Sequence, residues 1–252
     1  MSKPRVLPTR FLILGATSAI AMAFTSKLAP KGASFFLVAR NAQKLDAVRR
    51  DLLTRGAFSV YTFAMNLDET AAHADVLAAA IESLGTIDVA LIAHAILGDQ
   101  SRAQASYVEA ERILRTNFLS AVSLITLLAN YFESDGQGTL AVITSVAGDR
   151  GRKSNYVYGA SKGALNIFLD GVRNRIDRSG VQVLTIRPGF VDTPMTAHLT
   201  KRPLVASPGK IATGIEKAIA KRKDIVYLPS FWALIMFVIR NIPQWIFKKL
   251  NM

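Results

Sequence analysis

The stretch Ser145-Val-Ala-Gly-Asp-Arg-Gly-Arg-Lys-Ser-Asn-Tyr-Val-Tyr158-Gly-Ala-Ser-Lys162 is the most informative part of this chain. Tyr158 and Lys162 are four positions apart, so a helix would place them on one face, one turn apart. A free tyrosine holds its proton until about pH 10, and a neighbouring ammonium group lowers the pKa of the phenol. The pair is therefore a candidate general acid or base that exchanges a proton with an alkoxide or an alcohol.

The position of Ser145 favours a catalytic interpretation. It follows the apolar run Thr139-Leu-Ala-Val-Ile-Thr144, which is typical of a buried strand. Open α/β sheets bind ligands at the carboxyl ends of their strands, so this hydroxyl would lie where a substrate carbonyl oxygen could be held. A Tyr-x-x-x-Lys pair alone is more often a solvated helix face. Ser145, thirteen residues before Tyr158, favours the catalytic interpretation over a solvated helix face.

Apolar runs alternate with helical segments along the whole chain. Strands are predicted at residues 10–14, 34–39, 58–64, 87–93, 140–144, 181–186 and 225–228. Helices are predicted up to about residue 28, from 41 to about 55, and at 68–84, 108–132, 155–178 and 208–222. This order is typical of βαβ units. It predicts one α/β domain, residues 1–252, with a Rossmann-type, doubly wound parallel sheet of about seven strands.

Composition narrows the function further. The chain has no cysteine, and its histidines, His73, His94 and His198, lack ligand spacing, so no metal site is expected. The net charge of +13 suggests an anionic partner. Met1 to Thr9 contains no apolar core of a signal peptide, so a cytoplasmic protein is expected.

The Ser, Tyr and Lys spacing resembles the short-chain dehydrogenase/reductase family. Other matching positions extend this resemblance over about residues 10–195: Gly15, Arg40, Asn117 and the segment Pro188-Gly189-x-x-x-Thr193. The resemblance implies a reductase in which Ser145 polarises a ketone, Tyr158 donates the proton and Lys162 lowers the pKa of Tyr158 and holds the cofactor ribose. It also implies that Asn117 holds a water of the proton relay, and that the protein is a homo-oligomer.

The resemblance implies a dinucleotide site as well. The residues that would bind the cofactor are Gly15, Thr17, Ser18, Ile20, Arg40, Asn66, Leu67, Ala95, Tyr158, Lys162, Pro188, Gly189, Val191 and Thr193. His94 falls beside the nicotinamide by alignment and is interpreted as a structural residue.

Two features of the cofactor region depart from the usual pattern. Ala19 and Ala21 replace family glycines, and alanine is disfavoured at positive φ. Ala39 then stands where NAD-type enzymes place an acid, and Arg40 follows it. Because the planar guanidinium suits a phosphate, NADP(H) is favoured over NAD(H), the alternative being an ordinary surface arginine.

The C-terminal tail, residues 229–252, is basic and apolar. From Lys201 onward the chain has ten Lys or Arg and two acids, and Phe231 to Ile239 is an unbroken run of nine apolar residues. Nine residues are too few to span a bilayer, which needs about 20. The tail could lie in a lipid interface at the inner face of the membrane, cap the substrate pocket or contact another subunit. Nucleic acid is disfavoured, because the aromatic residues are not interleaved with basic ones.

Within the family, segments such as Met195-Thr-Ala-His-Leu199 and Ile246-Phe247-Lys248-Lys249-Leu250 resemble the reductases of decaprenylphosphoryl-2-keto-erythro-pentose. That resemblance implies cell-wall biosynthesis, a 2-keto sugar on a polyprenyl phosphate as substrate, and a flavoprotein oxidase as partner. The alternatives are a soluble reductase of 3-oxoacyl thioesters or small ketones, and an NADP-binding regulator without catalysis, which Ala19 and Ala21 would suit.

Overall fold

The computed structural model describes residues 9–199 and 204–250, and within them a single seven-stranded sheet forms. All its neighbouring strands run parallel, in the order β3-β2-β1-β4-β5-β6-β7, which confirms the predicted fold class. The strands are β1 (Arg10–Leu14), β2 (Ser34–Ala39), β3 (Ser59–Ala64), β4 (Val89–Ile92), β5 (Thr139–Ile143), β6 (Gln182–Pro188) and β7 (Ile225–Leu228). Residues 1–8, which belong to the segment considered for a signal peptide, residues 200–203 and the last two residues lie outside the described part.

Helices connect the strands and cover both faces of the sheet. They are α1 (Ala19–Leu28), α2 (Ala42–Thr54), α3 (His73–Leu84), α4 (Gln100–Ala105), α5 (Tyr107–Leu114), α6 (Ser120–Asp135), α7 (Tyr156–Arg175), α8 (Pro208–Ala220), α9 (Trp232–Asn241) and α10 (Gln244–Phe247). Helices α1, α2 and α8 pack on one face, and α3, α6 and α7 pack on the other.

Strand β1 shows why its sequence is continuously apolar. Phe11 and Ile13 point into the core beneath α1, α2 and α8, while Leu12 and Leu14 point into the opposite core. Successive side chains of a strand alternate between faces, so a sheet covered on both sides needs apolar residues at every position.

One predicted helix differs in detail. The expected continuous helix Val108–Phe132 is divided into α5 and α6 by a π-helical turn at Arg115–Leu119. This run is long and apolar enough to cross a membrane by length and composition, yet much of α6 is buried in the core of the domain. The sequence prediction also missed α4, although its cap is visible: the carboxylate of Asp99 accepts hydrogen bonds from the N–H groups of Ser101 and Arg102.

The turn after β1 comes very close to the end of β4. Gly15 has φ +89°, and a Cβ on it would lie 2.5 Å from the backbone nitrogen of His94. Only glycine fits this position without strain or collision. Because β1 pairs with both β2 and β4, the chain changes direction across the sheet here, which opens a crevice at the carboxyl ends of the strands.

Candidate active site

A cavity of about 470 Å³ occupies this crevice. All the residues that the sequence analysis assigned to cofactor binding line it: Gly15, Thr17, Ser18, Ile20, Arg40, Asn66, Leu67, Ala95, Tyr158, Lys162, Pro188, Gly189, Val191 and Thr193. Ser145 also lines the cavity, whereas Asn117 does not. The fold therefore brings together Ser145, which follows β5, and Tyr158 and Lys162 of α7 in the lining of one cavity.

The turn after β5 holds Ser145 against α7. Ser145 caps the short 3-10 turn Val146–Asp149, and its Oγ accepts a hydrogen bond from the N–H of Ala147 (3.1 Å). The turn can touch α7 because Gly148 has no side chain, since a Cβ there would lie 2.7 Å from the carbonyl carbon of Lys162. In this arrangement the hydroxyl of Ser145 is close enough to Tyr158 to influence the pKa of its phenol.

The pKa of Tyr158 is raised, whereas the sequence predicted that it would be lowered. Burial raises it to about 12, while the nearby hydroxyl of Ser145 acts to lower it. The ammonium group of Lys162 lies 6.0 Å from the centre of the phenol ring and donates instead to the carbonyl oxygen of Ile143 (3.1 Å). The expected lowering by Lys162 is thus wrong for the protein alone, because desolvation of the phenolate is the larger effect. Tyr158 keeps its proton at neutral pH, as an acid catalyst must.

Lys162 is itself strongly affected by its surroundings. Its side chain is almost completely buried, and burial lowers its pKa to about 8. Burial disfavours the ammonium form because the surrounding protein solvates charge less well than water. The amino group therefore titrates close to physiological pH, where it can gain or lose a proton readily.

Asn117 acts from behind the cavity wall. Its side-chain oxygen accepts a hydrogen bond from the N–H of Ile96 (2.8 Å), and its amide group donates to the carbonyl of Ile96 (2.8 Å) and to Ser161 Oγ (3.2 Å). Asn117 belongs to the π-helical turn, a distortion that is frequent at functional sites. Protein groups satisfy its side chain, and its role in holding a relay water stays a prediction.

The turn that carries Ala19 and Ala21 has an unstrained backbone. Ser18 caps α1, with its Oγ accepting from the N–H of Ala21 (3.2 Å). Ala19 and Ala21 are the first and third residues of α1, so both have helical backbone and neither meets the penalty for positive φ. Free N–H groups at the start of a helix favour an anion, and Ser18 to Ile20 line the cavity. These residues fit the pyrophosphate of a dinucleotide.

Arg40 lies at the far end of the cavity, directly after β2. Its side chain is exposed, and among residues 9–199 and 204–250 no carboxylate forms a salt bridge with it. The neighbouring Asn41 caps α2 by accepting a hydrogen bond from the N–H of Lys44 (2.8 Å). The guanidinium of Arg40 is therefore available to a phosphate.

The sequence analysis missed residues that complete the cavity wall. Asp68 follows β3 and accepts a hydrogen bond from Thr116 Oγ1 (2.9 Å), and both residues line the cavity. The position of Asp68 shortly after the predicted third strand was the available signal, whereas Thr116 had none because the π-helical turn was not predicted. His94 also lines the cavity, with its Nε2 2.9 Å from Ser120 Oγ. Burial lowers the pKa of His94 to about 3, so the ring is neutral, and its hydrogen bond agrees with a structural role.

A buried ion pair ties the two walls of the cavity together. Asp149 lies four residues after Ser145, and its Oδ1 is 3.0 Å from Nη1 of Arg187. Its Oδ2 accepts a hydrogen bond from the hydroxyl of Tyr227 (2.7 Å). Arg187 directly precedes Pro188, so the pair fixes the serine turn relative to the Pro188–Gly189 segment. The sequence could not reveal it, because its two charges are 38 residues apart.

Comparison with known proteins gives the family of this chain and shows which solved structures share its fold. The family model described as short chain dehydrogenase matches residues 9–203. An uncharacterized oxidoreductase of Mycobacterium tuberculosis is 37% identical over 95% of this chain and 96% of its own length. Levodione reductase has a similar fold, with a TM-score of 0.79 and 21% identity over 88% of this chain and 96% of that chain. An actinorhodin polyketide ketoreductase crystallised with NADPH has a TM-score of 0.75 and 21% identity over 82% of this chain and 88% of that chain. None of these names mentions a sugar or a polyprenyl phosphate.

Proposed function

The chain belongs to the short-chain dehydrogenase family and is an NAD(P)-dependent oxidoreductase, and from this premise we propose that it reduces a ketone with NADPH. The observation that carries the proposal is that Ser145, Tyr158 and Lys162 line one cavity together with the N-terminal turn of α1. A proton donor and a dinucleotide site thus share one enclosed space.

The protein's own residues supply the acid and the orientation. When bound, the reduced nicotinamide would supply the hydride. Ser145 donates a hydrogen bond to the carbonyl oxygen of the substrate, which fixes that oxygen near Tyr158. Tyr158 gives its proton to the oxygen as negative charge develops there, and general-acid assistance of this kind contributes about 10²–10⁴-fold to the rate. Lys162, with its pKa lowered to about 8 by burial, can release a proton near neutral pH and so help to restore the proton of Tyr158.

We propose NADPH over NADH on the strength of Arg40. Strand β2 ends in Ala39 and thus offers no carboxylate to the ribose hydroxyls of NADH, while the exposed arginine next to it suits an additional phosphate. Ser18 and the first N–H groups of α1 would hold the pyrophosphate, and the ribose next to the nicotinamide would meet Tyr158 and Lys162.

For the substrate, we propose the 2-keto sugar of a polyprenyl-phosphate-linked pentose, made by a flavoprotein oxidase at the cytoplasmic face of the membrane in cell-wall synthesis. Support comes from the net charge of +13, which suits a phosphate, and from the apolar tail, which suits a lipid. A soluble reductase of small ketones or 3-oxoacyl thioesters is the alternative, since one protein of similar fold is a polyketide ketoreductase. A third hypothesis is a regulator without catalysis, and it is disfavoured because Ser145, Tyr158 and Lys162 are all present.

A comparison of substrates tests the proposal. The purified full-length protein is given NADPH with a polyprenyl-phosphate-linked 2-keto pentose, a 3-oxoacyl thioester or a small cyclic ketone, and consumption of NADPH is followed. The expected result is the highest kcat/KM for the lipid-linked sugar. A higher value for either soluble ketone would overturn the substrate assignment, and binding of NADPH without turnover of any ketone would make the protein a regulator.

A further inference from the structure

Residues 229–250 of the C-terminal tail are an ordered part of the domain. Helix α9 buries Trp232 and Met236, one turn apart, against Val146 and Phe190. The indole of Trp232 fits over Gly189, where a Cβ would lie 1.9 Å from the indole nitrogen. One face of α9 is thus docked beside the turn that holds Ser145. No described residue of the tail lines the cavity, which gives no support to the alternative that the tail caps the pocket.

The opposite face of α9 is apolar and uncovered. Leu234, Phe237 and Val238 follow the i, i+3, i+4 spacing of one helix face and have exposed fractions of 69%, 66% and 55%. Trp245 of α10 adds a further exposed apolar side chain, 65% exposed. Scattered apolar residues are normal on a protein surface, but a contiguous apolar group of this kind marks an interaction site.

Arg150 holds the tail in a fixed shape. Its Nη1 donates hydrogen bonds to the carbonyl oxygens of Ile239 and Ile242 (2.6 Å each), which lie at the C-terminal end of α9. Its Nη2 donates to the side-chain oxygen of Gln244 (3.1 Å), and its guanidinium lies 3.7 Å from the centre of the Phe247 ring. A surface ordered in advance loses little conformational entropy when it binds.

The charge around this surface is of one sign. From residue 225 to the C-terminus the sequence has no Asp or Glu, while Arg240, Lys248 and Lys249 are exposed. In a symmetric dimer built on this face, the same basic patch would meet itself, and like charges would repel. An anionic lipid surface instead attracts each of these residues while its acyl region accepts the apolar face.

We propose that the C-terminal tail attaches the protein to the surface of an anionic membrane. Leu234, Phe237, Val238 and Trp245 enter the boundary between head groups and acyl chains, and Arg240, Lys248 and Lys249 remain at the level of the head groups. Helix α9 has ten residues and ends before Pro243, so it lies on the bilayer and does not span it. Because the docked face of α9 packs beside the Ser145 turn, attachment brings this side of the domain to the membrane.

Vesicle sedimentation tests the proposal with the full-length protein. Wild type is expected to sediment with vesicles of phosphatidylglycerol and phosphatidylcholine at low salt, and to be released at high salt or from vesicles of phosphatidylcholine alone. The double variant Leu234→Ser/Phe237→Ser should lose about tenfold or more in partition coefficient, because two apolar side chains no longer enter the lipid. Lys248→Gln/Lys249→Gln should lose about tenfold or more, since each basic residue near an anionic surface contributes about fivefold.

Phe58→Ser is the matched control. Phe58 is 82% exposed and precedes β3, at the opposite edge of the sheet from the tail, so its loss should leave vesicle binding unchanged. Thermal unfolding of each variant checks that the fold is intact. The proposal is overturned if wild type stays in the supernatant, or if the tail variant and the control bind equally. It is also overturned if, without lipid, sedimentation velocity shows an oligomer that Leu234→Ser/Phe237→Ser dissociates while vesicle binding is unchanged, because the surface then contacts a second copy.

Discussion

The two ends of the cavity are built in different ways. At the catalytic end, Ser145, Tyr158 and Lys162 are held by a close turn-to-helix contact, by hydrogen bonds and by burial that changes the pKa values of Tyr158 and Lys162. At the other end, Arg40 is exposed and makes no salt bridge with the described residues. Chemistry needs groups whose geometry and protonation are fixed in advance, whereas coenzyme choice needs only a charge within reach of a phosphate.

The largest effect is expected at the catalytic end. Tyr158→Phe should lower kcat by about 10²–10⁴-fold while NADPH still binds, because only the proton donor is removed. Steady-state kinetics and a coenzyme titration measure the two quantities. Tyr156→Phe, an exposed tyrosine in the first turn of the same helix, is the control and should keep wild-type activity. A Tyr158→Phe rate above a tenth of wild type would show that another group is the acid.

The burial of Lys162 predicts a pH-dependent stability. Its pKa in the folded protein is lowered to about 8, so between pH 8 and about 10 the unfolded chain binds the proton and the folded chain does not. The free energy of unfolding of wild type should therefore rise with pH across this window relative to Lys162→Met, by on the order of 2–3 kcal/mol. Denaturant unfolding at several pH values up to about 9.5 measures this difference and avoids the titration of tyrosine.

An exposed lysine provides the comparison for that experiment. The free energy of unfolding of Lys210→Met, a variant on the outside of α8, should change with pH in parallel with that of wild type. If Lys162→Met did so too, the ammonium group of Lys162 would be as well solvated as in water. The contrast between a buried catalytic end and an exposed opposite end would then lose its electrostatic basis.

A smaller effect is expected at the other end. Arg40→Ala should lower the affinity for NADPH by about ten- to a hundredfold, the usual contribution of a hydrogen bond to a charged group. The affinity for NADH should stay unchanged. Titrating both coenzymes against wild type and variant measures this. Arg50→Ala, an exposed arginine on α2, controls for a general loss of positive charge. Equal affinities of wild type for the two coenzymes would reduce Arg40 to an ordinary surface residue.

The smallest effect concerns the alanine-substituted turn between the two ends. Ala19→Gly restores a family glycine, but Ala19 already has helical backbone at the start of α1. The variant should bind NADPH within about twofold of wild type and lose up to about 1 kcal/mol of stability, the usual cost of glycine in a helix. Coenzyme titration and thermal unfolding test it. A large gain in affinity would mean that the alanine obstructs the pyrophosphate.

The sequence was informative where the relevant physics is local. The alternation of apolar runs and helical segments predicted the parallel sheet, and the spacing of Tyr158 and Lys162 placed them on one helix face because helical geometry repeats every 3.6 residues. Gly15 and Ser18 were likewise recognisable from residue type and order as residues of the turn after the first strand. These features depend on neighbours a few positions apart, which a single sequence displays directly.

Long-range packing decided what the sequence left open or predicted wrongly. The pKa of Tyr158 is raised because atoms from separate elements exclude water from the phenol, an effect that no spacing along α7 can reveal. In the same way, Asn117 is satisfied by Ile96, 21 residues earlier, and α9 divides into a docked and an exposed face only because Gly189 admits Trp232. Burial and hydrogen-bond partners are properties of the assembled fold, so the sequence by itself named the candidate reacting groups while the tertiary structure set their protonation and their surroundings.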